Sequence, residues 1–169
     1  MRLIVLFPLL ITIVLLQNNS AHAETEEKPL ESQITSFMTG LHVHQPKQAV
    51  ELWILGVQNR SGAVQFAMLS PSLQKQTRKQ FEQRGWVTGV SSPWVDNFRF
   101  VEVKKLSDTK IQYTVVYDLL TSYANFGKGQ KVITVEKNPV SYMTNWLITS
   151  IVTKYSQWEA FTPAETVIN

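Results

Sequence analysis

Few side chains in this sequence are of types that do chemistry, and their spacing sets what each could do. His42 and His44 are two residues apart. On a strand they would share a face and could supply two ligands to a metal. Beyond residue 23 there is no other histidine, and the chain has no cysteine. The pair therefore cannot complete a tetrahedral site by itself, and no cofactor or metal is expected. Asp118 lies in "TVVYDLLTSY", an otherwise apolar run. On a face lining a cavity, burial would raise its pKa and make it a usable base. On a solvated face it is an ordinary strand charge. Tyr113 and Tyr117 are the nearby phenols, but strand alternation sends them to the side opposite Asp118, so one strand cannot aim both groups into one pocket.

Other chemistries lack their parts. A serine nucleophile needs a histidine base and a glycine-framed elbow, which "GVSSPW" does not supply. "NFGKGQ" contains G-x-G between two strands rather than between strand and helix, so neither a dinucleotide fingerprint nor a phosphate loop is present. Lys75, Arg78, Lys79 and Arg84 form a basic stretch. They are read either as an anion-binding face, for instance for wall polymer, or as a solvated helix surface. The aromatics are interleaved with apolar residues rather than with a dense basic stripe, which argues against a nucleic-acid partner. "WVTGVSSPWV" sets Trp86 and Trp94 on either side of a polar turn. They are read as a clamp on the joint between helix and sheet, or as the rim of a ligand cavity.

The elements that would position these groups follow from pattern. Residues 1–23 open with Arg2, continue with an apolar run from Leu3 to Leu16 and end in Ala21-His22-Ala23. That is the layout of a secretory signal peptide, and the run is shorter than the roughly 20 residues a membrane span needs. Secretion, or an extracytoplasmic place in the cell envelope, is therefore expected. Loss of this leader removes Arg2 and lowers the net charge from +3 to +2. Without disulfides, stability must come from a packed core. Residues 24–45 read as a flexible linker and 156–169 as a tail, with one domain over 46–155. Within it, Pro46 starts a helix whose stripe is Val50, Trp53, Ile54 and Val57, with Gly62 as its stop. Gly56 inside it leaves room for another element to come close. "AVQFAMLS" is a short second helix. Ser70-Pro71 caps a third that runs to Gly85 and presents Leu73, Thr77 and Phe81 on one side. From Trp94 the period becomes two. Strands are expected over "WVDNFRFVEVKKL", "IQYTVVYDLLTSY", "QKVITVEKN" and "SYMTNWLITSIVTKY", with Ser107–Lys110 and "NFGKG" as turns. The fold class is α+β: N-terminal helices packed on a curved, antiparallel, four-stranded sheet.

This order, with "AVELWILGVQNRSGAVQFAMLSP", "WVTGVSSPWV" and a closing "NWLITSIVTKY", resembles the NTF2-like (cystatin-like, SnoaL-like) superfamily. More narrowly it looks like small uncharacterised exported domains of Gram-positive bacteria. The resemblance implies a cone, a bent sheet wrapped on helices with a cavity at its open end. It also implies members that are isomerases or dehydratases beside others that bind or dock, and some that dimerise through the sheet. One departure is that nothing between residues 63 and 84 reads as the strand pair many members insert there. The resulting expectation is an exported binding or docking module. It would hold a small apolar ligand or a segment of an envelope protein by Trp86, Trp94, Tyr113 and Tyr117. The alternatives are an isomerase-type enzyme using Asp118, or wall binding through the basic helix.

Overall fold

The computed structural model describes residues 43–138 and 145–169, with residues 32, 33, 36, 37, 40 and 41 before them. The leader, most of the linker and His42 lie outside the described residues. Among the described residues, three complete helices precede a sheet. They are α1 (Pro46–Gln58), α2 (Gly62–Ala67) and α3 (Pro71–Gln83), followed by β1 (Trp94–Ser107), β2 (Lys110–Leu120), β3 (Asn125–Lys137), β4 (Trp146–Lys154) and β5 (Glu165–Ile168). Among the described residues no helix is long and apolar enough to cross a membrane.

Local chemistry sets the helix boundaries. Pro46 and Pro71 occupy first-turn positions, where a missing N–H costs nothing. Ser70 caps α3 by accepting from the Leu73 amide. Gly62 is not the stop of α1. That helix ends at Gln58, and Gly62 is the first residue of α2, capped by Ser61 accepting from Val64. A glycine is needed there because a Cβ would sit 2.9 Å from both the Trp86 carbonyl oxygen and the Phe81 ring. Gly56 does what close approach requires: a Cβ on it would meet Gln65 Cγ at 2.8 Å. The α1–α2 contact is thus set by backbone proximity, and Gln65 Nε2 seals it with a 3.0 Å bond to the Gly56 carbonyl.

The sheet has order β1-β2-β3-β4-β5. The first four strands are antiparallel neighbours, while β5 joins β4 in parallel, Ile151 opposite Glu165. Among the described residues five strands therefore replace the four expected, because Glu165–Ile168, within the expected tail, pairs with β4. The turn after β2 is also displaced. "NFGKG" lies within β3, and the chain reverses at Thr121–Ala124, where the Thr121 hydroxyl accepts from the Ala124 and Tyr123 amides. Register shifts in β1 after Asp96, Phe100 and Lys105 mark bulges, which bend and twist the strand.

One face of the sheet packs on the helices. Tyr113, Val115, Tyr117 and Leu119 of β2 lie on it with Ile133 and Val135 of β3 and Ile148 and Ile151 of β4. Val50, Trp53 and Ile54 of α1 fill the space opposite, with Phe66 and Phe81 closing the side. Val43 is buried as well, and its carbonyl receives the Trp146 amide.

Candidate functional site

Following that apolar face along β3 toward its start leads from Val135 and Ile133 to Lys131, and then to Gly129. Period two places all of them on the helix side. Lys131 is thus a charge inserted into the core face, 1% exposed. Its ammonium donates to Glu159 Oε1 at 2.5 Å, Glu165 Oε2 at 2.7 Å and Thr153 Oγ1 at 3.2 Å, which uses all three protons. The remaining carboxylate oxygens are also engaged. Tyr117 donates its phenol to Glu159 Oε2, and the Thr162 amide donates to Glu165 Oε1. Thr153 donates its hydroxyl to Glu165 Oε2 at 2.6 Å.

The backbone makes room for this cluster. Gly129 stands opposite Tyr117 in the β2–β3 ladder, and a Cβ there would lie 2.2 Å from the phenol ring. Only a glycine lets the ring lie flat across the neighbouring strand, with Phe98 on its other side at 5.0 Å between centroids. Electrostatically the cluster sets two carboxylates against one ammonium. Burial pushes the Glu159 carboxyl above the usual range, and Lys131 opposes that only in part. Burial, and then the facing Glu159, raise the Tyr117 phenol far above its ordinary value.

Above this buried floor lies a half-open cavity of about 260 Å³. Its walls are the end of α1 with Val57, Gln58 and Arg60, the joint from Thr88 to Val95, Leu119 of β2, and the C-terminal residues Glu159, Ala160, Thr162 and Glu165. Trp94 stands at the rim, 36% exposed. Arg60 is held beside it by an Nε contact of 3.4 Å to the Thr88 carbonyl. The Thr162 hydroxyl is buried in the wall and meets no partner within the protein.

The residues singled out by sequence are scattered by the fold. Trp94 lines the cavity, but Trp86 does not. Trp86 packs against Phe66 at 5.2 Å and stacks on Phe81 at 5.8 Å, so it is the clamp and Trp94 is the rim. Tyr113 is buried lower in the core, edge-on to Phe100, its phenol raised by burial and then by Glu51. Tyr117 belongs to the floor and does not line the cavity. Asp118 is buried but turned to the opposite side of the sheet, where it accepts from Asn97 Nδ2 at 3.0 Å and faces Arg99 at 3.8 Å. It does not line the cavity.

The basic residues of the third helix have different surroundings. Arg78 lies over the Phe66 ring and pairs with Glu82, and Arg84 donates to the Phe161 carbonyl. Lys75 and Lys79 are exposed. His44 is exposed, and among the described residues no group of three His, Cys, Asp or Glu is placed to hold a metal.

Sequence reasoning missed Lys131, Glu159 and Glu165. The signal for Lys131 was its parity, a lysine in register with Ile133 and Val135. The two glutamates carried no such signal, because "SQWEAFTPAETVIN" shows no period until its last residues.

No family model matches the chain, and no curated protein does. Among solved structures it is similar to an NTF-2 like protein of unknown function from Shewanella oneidensis MR-1, at 13% identity and a TM-score of 0.45. The match covers 63% of this chain and 93% of that one.

Proposed function

We propose that this chain is an exported binding module whose cavity at the open end of the sheet holds a small, largely apolar ligand. The observation that carries the reading is the cavity itself. Apolar groups of Val57, Pro93, Trp94, Val95 and Leu119 form its walls, with the polar residues Gln58, Arg60 and Ser91 among them. Pockets for small ligands combine apolar walls with a few such placed polar groups. A binding rather than a catalytic role is favoured by the state of the floor. Lys131, Glu159, Glu165 and Tyr117 are bonded to one another and to Thr153 and Thr162, an engagement that holds the floor together. Asp118, the base of the enzymatic alternative, faces away. The leader pattern of residues 1–23 supports placing the module outside the cytoplasm.

The test is a thermal-shift and fluorescence screen of small apolar compounds carrying one hydrogen-bonding group, run beside Val57→Trp, which fills the cavity. Binders should raise Tm in the wild type, quench emission that Trp94→Phe removes, and lose their effect in Val57→Trp. A broad screen without a binder, or binders indifferent to the filled cavity, overturns the reading.

A further inference from the structure

The cavity has one wall unlike the others. Glu159, Ala160, Thr162 and Glu165 all come from the segment that follows β4, and that segment lies across the open end of the sheet. We propose that residues 155–164 are a latched cover over the ligand cavity, anchored downstream by the β4–β5 ladder, with Lys131 between Glu159 and Glu165 as the latch. This regulation rests on the binding reading above, since a cover matters only if something enters.

The attachments of the segment are few in kind and mostly polar. Lys131 and Tyr117 hold Glu159, Lys131 and Thr153 hold Glu165, Arg84 holds the Phe161 carbonyl, and Trp158 leans on Phe126 at 5.4 Å. Phe161 and Tyr117 add their ring faces to the ammonium, at 5.9 and 4.9 Å. By contrast, the main apolar cluster takes from this segment a single residue, Ala164. Lifting the cover therefore breaks the contacts of Glu159 with Tyr117 and Lys131 while leaving the strand ladders, β4–β5 included, and the α1 stripe in place. Such regions, poor in apolar contacts, open locally before the whole molecule unfolds.

The latch is also unevenly charged. Two carboxylates and one ammonium are buried together, each side chain 1% exposed. A buried charge is tolerated only with its partner, so removing the single cation leaves two carboxylates facing each other in a dry site. Closure thus depends on one side chain in β3. Arg60, at the rim, and Arg84, beside Phe161, are both engaged with backbone carbonyls.

The chain has no cysteine, so one introduced thiol reports on one place. Leu119→Cys puts the reporter in the cavity wall. Val135→Cys puts it on the same face, roughly 13 Å deeper along β3 from Lys131. Labelling by a thiol reagent is measured in each, with and without Lys131→Met, at pH 8. The expected result is that Lys131→Met speeds labelling of the 119 reporter at least about tenfold and leaves the 135 reporter within about twofold. An unchanged rate at 119 overturns the latch, and so does equal acceleration at both. Should Lys131→Met fail to fold, the otherwise wild-type reporters decide through urea dependence. Labelling at 119 should rise with a shallower slope than at 135, and identical global slopes overturn the proposal. No ligand enters this experiment. Gated labelling with an empty ligand screen would sink the binding reading, while a binder with ungated labelling would sink the cover.

Discussion

At the scale of single residues, the cluster around Lys131 is a balance between burial and pairing. Its titration has a direction. The Glu159 carboxyl is raised in the folded protein, so the native state holds this proton more firmly than the unfolded chain does. That contribution is complete below the ordinary carboxylate range and is lost as pH rises through the elevated value. Thermal unfolding from pH 4 upward should therefore show Tm declining across that window, and Glu159→Gln should flatten the slope. Gly129→Ala tests the geometry beneath. The added methyl would overlap the Tyr117 ring, and moving the ring strains the Glu159 bond. A loss of about 1–3 kcal/mol in urea unfolding is expected, the usual cost of overpacking. Part of this was legible beforehand. A lysine at a core parity is visible in "GQKVITV", but its meaning is not, because the partners lie 28 and 34 residues away in a stretch without period. Asp118 shows the opposite case: alternation alone correctly set it against Tyr117, and which side faced the helices needed the fold.

Among elements, helices and strands differ in how well they announce themselves. The α1 stripe, the Ser70 cap and the four long strands follow periodicities of 3.6 and 2, and these come from backbone geometry. Turns and short pairings do not. Gly127 and Gly129 read as a turn, yet the reversal is made one step earlier by the Thr121 hydroxyl, and β5 is four residues long. Gly62 looked like a stop and is instead a contact point, because its missing Cβ serves the Trp86 carbonyl rather than a helix end. The same kind of contact at Gly56 gives a sharp expectation. Gly56→Ala should gain roughly 1 kcal/mol of helix propensity, yet the new methyl would press on Gln65 Cγ and its amide nitrogen. The net result is a protein less stable by about 1–2 kcal/mol in urea unfolding, with overpacking outweighing propensity. An increase in stability would mean that α2 moves away easily.

For the molecule as a whole, helices followed by a bent sheet is the order the sequence led one to expect, and the cavity sits at the end where the α1 stripe runs out. The export proposal is tested at this scale. Protein recovered from the medium or envelope of its producing cell should begin at Glu24 by intact mass, and a chain retaining Met1 there would contradict cleavage. The parallel pairing of β5 with β4 has a consequence for shape. To lie beside Ile151 in parallel, the chain must return from Lys154 by only roughly 10 Å. Residues 155–164 could reach roughly 30 Å when extended. The surplus length has to go somewhere, and it arches over the hollow side. The roof is thus slack left by connectivity, so a version shortened within this arch would keep its last strand pair and stand open to solvent.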